Sequence, residues 1–126
     1  MSNFLLVAVG GSIGASFRYV FYLISKNFFS INNLFINTLM INIIGSFLIG
    51  YLFFLLENKS FSQDFLKYFF IIGILGSFTT FSAFSIETIE LLTNKRFYIA
   101  FFYIFLSLFL CLMFTFLGLN FNKFIN

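Results

Sequence analysis

Four apolar runs, each long enough to cross a lipid bilayer, take up nearly the whole of this 126-residue chain: residues 3–25, 34–56, 65–92 and 97–121. A spanning helix needs about 20 consecutive apolar residues. Backbone in lipid must satisfy its own hydrogen bonds, so helices are what such runs adopt. With 61% hydrophobic residues, 9% charged residues and a mean hydropathy of +1.05, the chain has too little polar surface to cover a soluble globule. These features predict an all-α, multi-pass membrane protein, residues 1–126 forming one four-helix transmembrane domain. The first apolar run is preceded by no basic stretch and followed by no small-residue cleavage site. It therefore reads as a retained helix and not as a signal peptide.

Twenty-five phenylalanines, with no Trp, His or Pro, fit an AT-rich genome, and most of these rings are predicted to face lipid. The single cysteine, Cys111, sits mid-span, so one chain offers neither a disulfide nor a thiolate metal site. The absence of His and the presence of only four acidic residues exclude metal hydrolysis and Ser-His-Asp chemistry. Neither an enzyme nor a nucleic-acid partner is expected.

Charge gathers at the predicted helix ends. One membrane face, shared by the N-terminus, the loop between spans two and three and the C-terminus, collects Lys59, Lys67 and Lys123. The other carries Lys26, Lys95 and Arg96, with Arg18 if it reaches the interface. Orientation follows the Lys and Arg bias between faces, and here the two sides nearly balance. That balance predicts copies inserted both ways, which can pair as an antiparallel two-fold dimer. The alternative is a weak bias that so few charges leave unresolved.

Small and polar residues form stripes on the spans. In the first, "GGSIGASFRY" sets Gly10 and Gly14 four apart, with Arg18 four further on. Small residues at this spacing let another helix approach closely, and with the even charge split they motivate a dimer. A cation within a span either faces protein or water or snorkels to the headgroups. The second span, "NTLMINIIGSFLIGYL", places Thr38, Asn42, Ser46 and Gly50 at successive fourth positions, which drift only about 40° per step around a helix. The fourth span repeats the device with Tyr103, Ser107, Cys111 and Thr115. Interhelical hydrogen bonds worth about 0.6 kcal/mol each would explain an isolated hydroxyl. Two full stripes favour a lined pathway.

The third span holds "GILGSFTTFSAFSIETIE", residues 73–90. Gly is costly inside helices and Thr diverts backbone hydrogen bonds to its side chain, so this run predicts a helix break. In a membrane, broken backbone is tolerated where it is buried in protein or lines a cavity. Freed carbonyls there can hold a cation, and freed N–H groups can face an anion. Phe81 and Phe84, three apart, share a face. Ring edges carry partial positive charge and could meet a small anion, although composition alone reads these rings as core packing.

Taken together, "GGSIGASFRY", "NTLMINIIGSFLIG" and "GILGSFTTFSAFSIE" resemble the Fluc (CrcB) fluoride channels over essentially the full chain. The resemblance implies a dual-topology homodimer in the bacterial inner membrane, with two antiparallel pores that export cytoplasmic fluoride passively and relieve its toxicity. It also implies a structural sodium ion (Na+) at the dimer interface, held by backbone carbonyls that map to Gly76 and Thr79. The pore-lining asparagine maps to Asn42, the paired phenylalanines to Phe81 and Phe84, and the vestibule arginine to Arg18. Thr38 falls on the pathway stripe, and the polar track of the fourth span maps to Tyr103, Ser107 and Cys111. Cys111 departs from the hydroxyl the family carries there.

Two readings compete with this one. A small four-helix proton-coupled multidrug exporter needs an acidic residue in its first helix; residues 1–25 contain none, and Glu87 and Glu90 are read near a helix end. A purely structural membrane subunit would account for the small-residue faces but not for two polar stripes beside a broken helix.

Overall fold

The computed structural model describes residues 2–28, 34–57, 62–121 and 123; Lys59 of the charge map lies outside them. All four expected spans are present as helical segments apolar enough to cross a membrane. They comprise α1 (Ser2–Phe28), α2 (Leu34–Glu57), a composite third span over Gln63–Thr93, and α6 (Phe97–Leu119). The third span is not one helix. A short α3 (Gln63–Phe65) runs into a π-helix (Leu66–Leu75) and then α4 (Gly76–Phe78), and two extended residues separate these from α5 (Phe81–Thr93). The break falls where the Gly and Thr run predicted it. The π-helix, with its wider i→i+5 turns, carries no composition signal that the sequence reading used.

Glycines decide which helices touch. Along the π-helix, α1 packs so closely that a Cβ on Gly10 would collide with the Phe69 carbonyl oxygen, and one on Gly14 with that of Ile74. Gly73 returns the contact, since its Cβ would stand 2.9 Å from Gly10 Cα. The Gly10/Gly14 face expected to support a dimer is thus filled from within the chain, by the third span. A second seam joins α2 to α6, where a Cβ on Gly50 would strike the Thr115 carbonyl oxygen and one on Gly118 that of Phe47. Gly50 therefore leaves the polar stripe and serves as a packing notch. Lipid gives apolar side chains no reason to associate, so close backbone approach has to supply the attraction.

The interior is correspondingly polar. Among the described residues, Ser25, Asn37, Thr38, Thr80, Glu87, Thr88 and Ser107 are buried beside Ile41, Leu66, Ile71, Leu75, Leu91, Ala100 and Tyr103. Many rings face outward, including Phe101, Phe105, Phe109 and Phe116 on α6, as expected of lipid-facing positions. Leu91, Ala100 and Tyr103 form a small apolar cluster with Phe35, Leu39 and Phe84, which fixes α5 against α2 and α6. The turn between α5 and α6 closes with Lys95 N–H donating to the Leu92 carbonyl (3.0 Å) and Arg96 N–H to that of Leu91 (2.9 Å). Lys95 takes the left-handed conformation (φ 58°) that this helix cap requires.

Candidate functional site

The site is built around the break. Thr79 (φ −75°, ψ 156°) and Thr80 (φ −150°, ψ 113°) are extended in the middle of a membrane span. Upstream, the Leu75 carbonyl accepts from both Thr79 N–H (3.0 Å) and the Thr79 hydroxyl (2.9 Å), ending the first helical half. Downstream, Thr80 Oγ1 accepts the Ala83 N–H at 3.2 Å and caps α5. The Asn42 amide of α2 bridges the gap: its Oδ1 accepts the Thr80 N–H at 2.8 Å, and its Nδ2 donates to the Thr80 carbonyl at 3.1 Å.

A cavity of about 340 Å³ opens beside this break and brings together Asn42, Thr79, Phe81, Phe84, Ser107 and Cys111. The two rings lie 5.3 Å apart with their planes tilted by 46°. Phe81 is 73% exposed, whereas Phe84 is half-buried and packs on Tyr103 at 5.2 Å. Ser107 Oγ is buried on the cavity wall and has no hydrogen-bond partner among the described residues. An unpaired buried hydroxyl is costly, and here it is a donor available to whatever enters. Thr115 does not extend this track inward, because its hydroxyl is bound to the Cys111 carbonyl at 2.9 Å.

Other expected residues lie elsewhere. Thr38 and Tyr103 meet around a carboxylate: Glu87 Oε1 accepts from the Thr38 hydroxyl at 2.7 Å and Oε2 from the Tyr103 hydroxyl at 2.6 Å. Tyr22 OH joins this group, 3.0 Å from Thr38 Oγ1. Glu87 also borders a cavity of about 190 Å³ with Glu90, Asn94 and Arg96 at the α5–α6 turn. The sequence reading set Glu87 near a helix end and outside the site; it sits midway along α5 and is buried. Arg18 lines a separate cavity of about 410 Å³ with Tyr22, Thr80 and Ser82. Gly76 lies outside all three, exposed, and a Cβ there would make an ordinary van der Waals contact, 3.6 Å from the Ile71 carbonyl oxygen.

The family model described as CrcB-like protein, Camphor Resistance (CrcB), matches residues 5–119. The chain belongs to the CrcB family. It is similar to the fluoride-specific ion channel FluC of Flavobacterium psychrophilum, with 41% identity over 123 residues covering 98% of each chain. The FluC protein of Campylobacter hominis is 39% identical over 122 residues, covering 97% of this chain and 96% of the relative. That of Shewanella loihica is 43% identical over 118 residues, covering 94% of each.

Glu87 and Gly45 are the residues of this CrcB chain that sequence reasoning missed. A signal for Glu87 was present: Phe84, Glu87, Thr88 and Leu91 follow helical spacing and therefore face one way, toward Tyr103. For Gly45 the signal was weaker, a glycine three residues after Asn42 on α2. Its missing side chain leaves the space that the Thr79 methyl group, Cγ2, fills.

Proposed function

We propose that this chain is a fluoride-selective channel of the cell membrane that lets cytoplasmic fluoride leave passively. The observation that carries the reading is the cavity beside the break. It offers a small anion the edges of Phe81 and Phe84, the unpartnered Ser107 hydroxyl and the Asn42 amide in succession. The FluC names of its relatives agree with it. Fluoride holds its water tightly, so a path that admits it must replace that shell with donors weak enough to release it again. Ring edges, hydroxyls and an amide are such donors, and among the described residues no Lys or Arg lines this cavity to trap the ion. Thr38 and Tyr103 continue the path. An anion reaching Tyr103 competes with Glu87 for the same hydroxyl proton, which makes the step an exchange of partners. Arg18, which lines the neighbouring cavity, stands at the entrance, and Cys111 supplies a thiol in place of a stronger hydroxyl donor.

The working unit in this reading is a homodimer of oppositely inserted copies in the bacterial inner membrane. The near balance of Lys and Arg between the faces supports it. The reading includes a structural sodium ion at the dimer interface, bound by the carbonyls of Gly76 and Thr79, and the donor set suits that ion. In an unbroken helix Thr80 N–H would satisfy the Gly76 carbonyl and Ala83 N–H that of Thr79. Both donors are engaged by side chains instead. Two neutral oxygens released from the helical ladder match a monovalent hard cation, which would stabilise them when bound.

Purified protein in liposomes loaded with fluoride tests the function. Fluoride is expected to leave without any pH gradient while chloride is retained. Efflux only under an imposed proton gradient would instead indicate a proton-coupled exporter. Cysteine labelling of one loop position from each side of the membrane tests the topology; about half the copies should react per side, and one-sided labelling excludes dual insertion.

A further inference from the structure

We propose that α2, through Asn42 and Gly45, is the template that keeps the third span broken and thereby holds the Gly76 and Thr79 carbonyls available to sodium. Asn42 is then a positioning residue for the ion site as well as part of the anion path. The proposal rests on the sodium reading above.

Thr80 has the backbone of a strand residue, and the Asn42 side chain treats it as one. Its amide gives and takes one hydrogen bond with the same residue, as a neighbouring strand would. The acceptance matters most. The Thr80 N–H is the donor that an unbroken helix would return to Gly76, so Oδ1 of Asn42 competes directly with the Gly76 carbonyl. Because Thr80 is buried, loss of Asn42 strands a buried N–H and a buried carbonyl. The cheapest repair is to rejoin the helix, and that withdraws Gly76 from the ion.

Gly45 holds the adjacent residue. With its hydroxyl committed to Leu75, Thr79 directs its methyl group at α2, into space that any Cβ at position 45 would occupy. Asn42 and Gly45 lie one turn apart on the same helix. A single rigid face thus grips both extended residues, one by hydrogen bonds and the other by shape. The anion path and the ion site share one support, and damage to it should be read out in sodium affinity.

The test is a sodium titration of purified protein in detergent, with thermal stability and the dimer fraction followed as sodium replaces N-methylglucamine. Asn42→Ala and Gly45→Ala should each raise the half-saturating sodium concentration by about tenfold, since the first leaves the buried Thr80 N–H and carbonyl without partners and the second pushes the Thr79 methyl group from its notch. Asn42→Asp keeps the acceptor for Thr80 N–H and should shift it less; it also serves if Asn42→Ala fails to assemble. Ser107→Ala, on the anion path but hydrogen-bonded to neither threonine, should leave the midpoint unchanged. Hydrogen exchange at the Thr80 amide should accelerate in Asn42→Ala. Parent-like midpoints in all position 42 and 45 variants overturn the proposal. A parent indifferent to sodium overturns the sodium reading itself and the ion-binding half of the proposal, and parent-like Thr80 exchange in Asn42→Ala overturns the template half.

Discussion

Two kinds of seam hold this molecule together, and they use opposite chemistry. Where α1 meets the π-helix and where α2 meets α6, glycines bring backbone against backbone. Where α2, α5 and α6 converge, the contact is made of Asn42, Thr80, Glu87, Thr38, Tyr103 and Ser107. Glycine seams are what lipid-phase assembly favours, since packing is the attraction available there. Buried polar seams are expensive in the same solvent and persist where they do something. In the proposed reading, the difference separates residues that assemble the protein from residues that line the anion path.

The comparison breaks most visibly in a glycine seam. A side chain at Gly118 meets the Phe47 carbonyl oxygen and, at 2.8 Å, the Tyr51 N–H nitrogen, neither of which can rotate away. Gly118→Leu should cost about 3 kcal/mol or prevent assembly, measured by detergent denaturation. Glu87→Ala comes next: it leaves the Thr38 and Tyr103 hydroxyls without their acceptor, so about 2 kcal/mol of stability should be lost along with flux. Thr79→Ser keeps the hydroxyl bond to Leu75 and empties the notch at Gly45. It should cost about 1 kcal/mol and still assemble. Ser107→Ala sharpens the contrast, because removing a hydroxyl that has no partner should change stability by less than about 0.5 kcal/mol while slowing fluoride efflux.

How much of this was legible in the sequence follows from range. The four spans are written in run length, and the break in the Gly and Thr cluster at 73–80, because both are local properties of a few consecutive residues. The rings at 81 and 84 and the polar stripes of α2 and α6 follow from helical spacing. Partners across helices do not. Nothing local says that Gly10 and Gly14 meet the third span of the same chain, or that the notch at Gly45 receives the Thr79 methyl group. Glu87 was misjudged for a related reason. Distance along the chain from the α5–α6 turn suggested an interfacial acid, whereas burial is set by Thr38 and Tyr103 arriving from two other helices. The Asn42 amide was expected to face an anion, and both its polar atoms also support the break.

The most direct test of the central division is fluoride efflux per folded protein in liposomes, compared between Phe81→Ile and Gly10→Ala, with stability measured on the same preparations. Phe81 is exposed to the cavity and touches Phe84, while Gly10 is enclosed by the π-helix backbone. Phe81→Ile should keep parent stability and lose flux by about tenfold, the equivalent of one ring contact of about 1.4 kcal/mol. Gly10→Ala should lower the yield and stability of folded protein, yet the protein that does fold should conduct as the parent does. Parent-rate conduction by Phe81→Ile, together with impaired conduction per folded protein in Gly10→Ala, would contradict the division and place the anion path along the glycine seam.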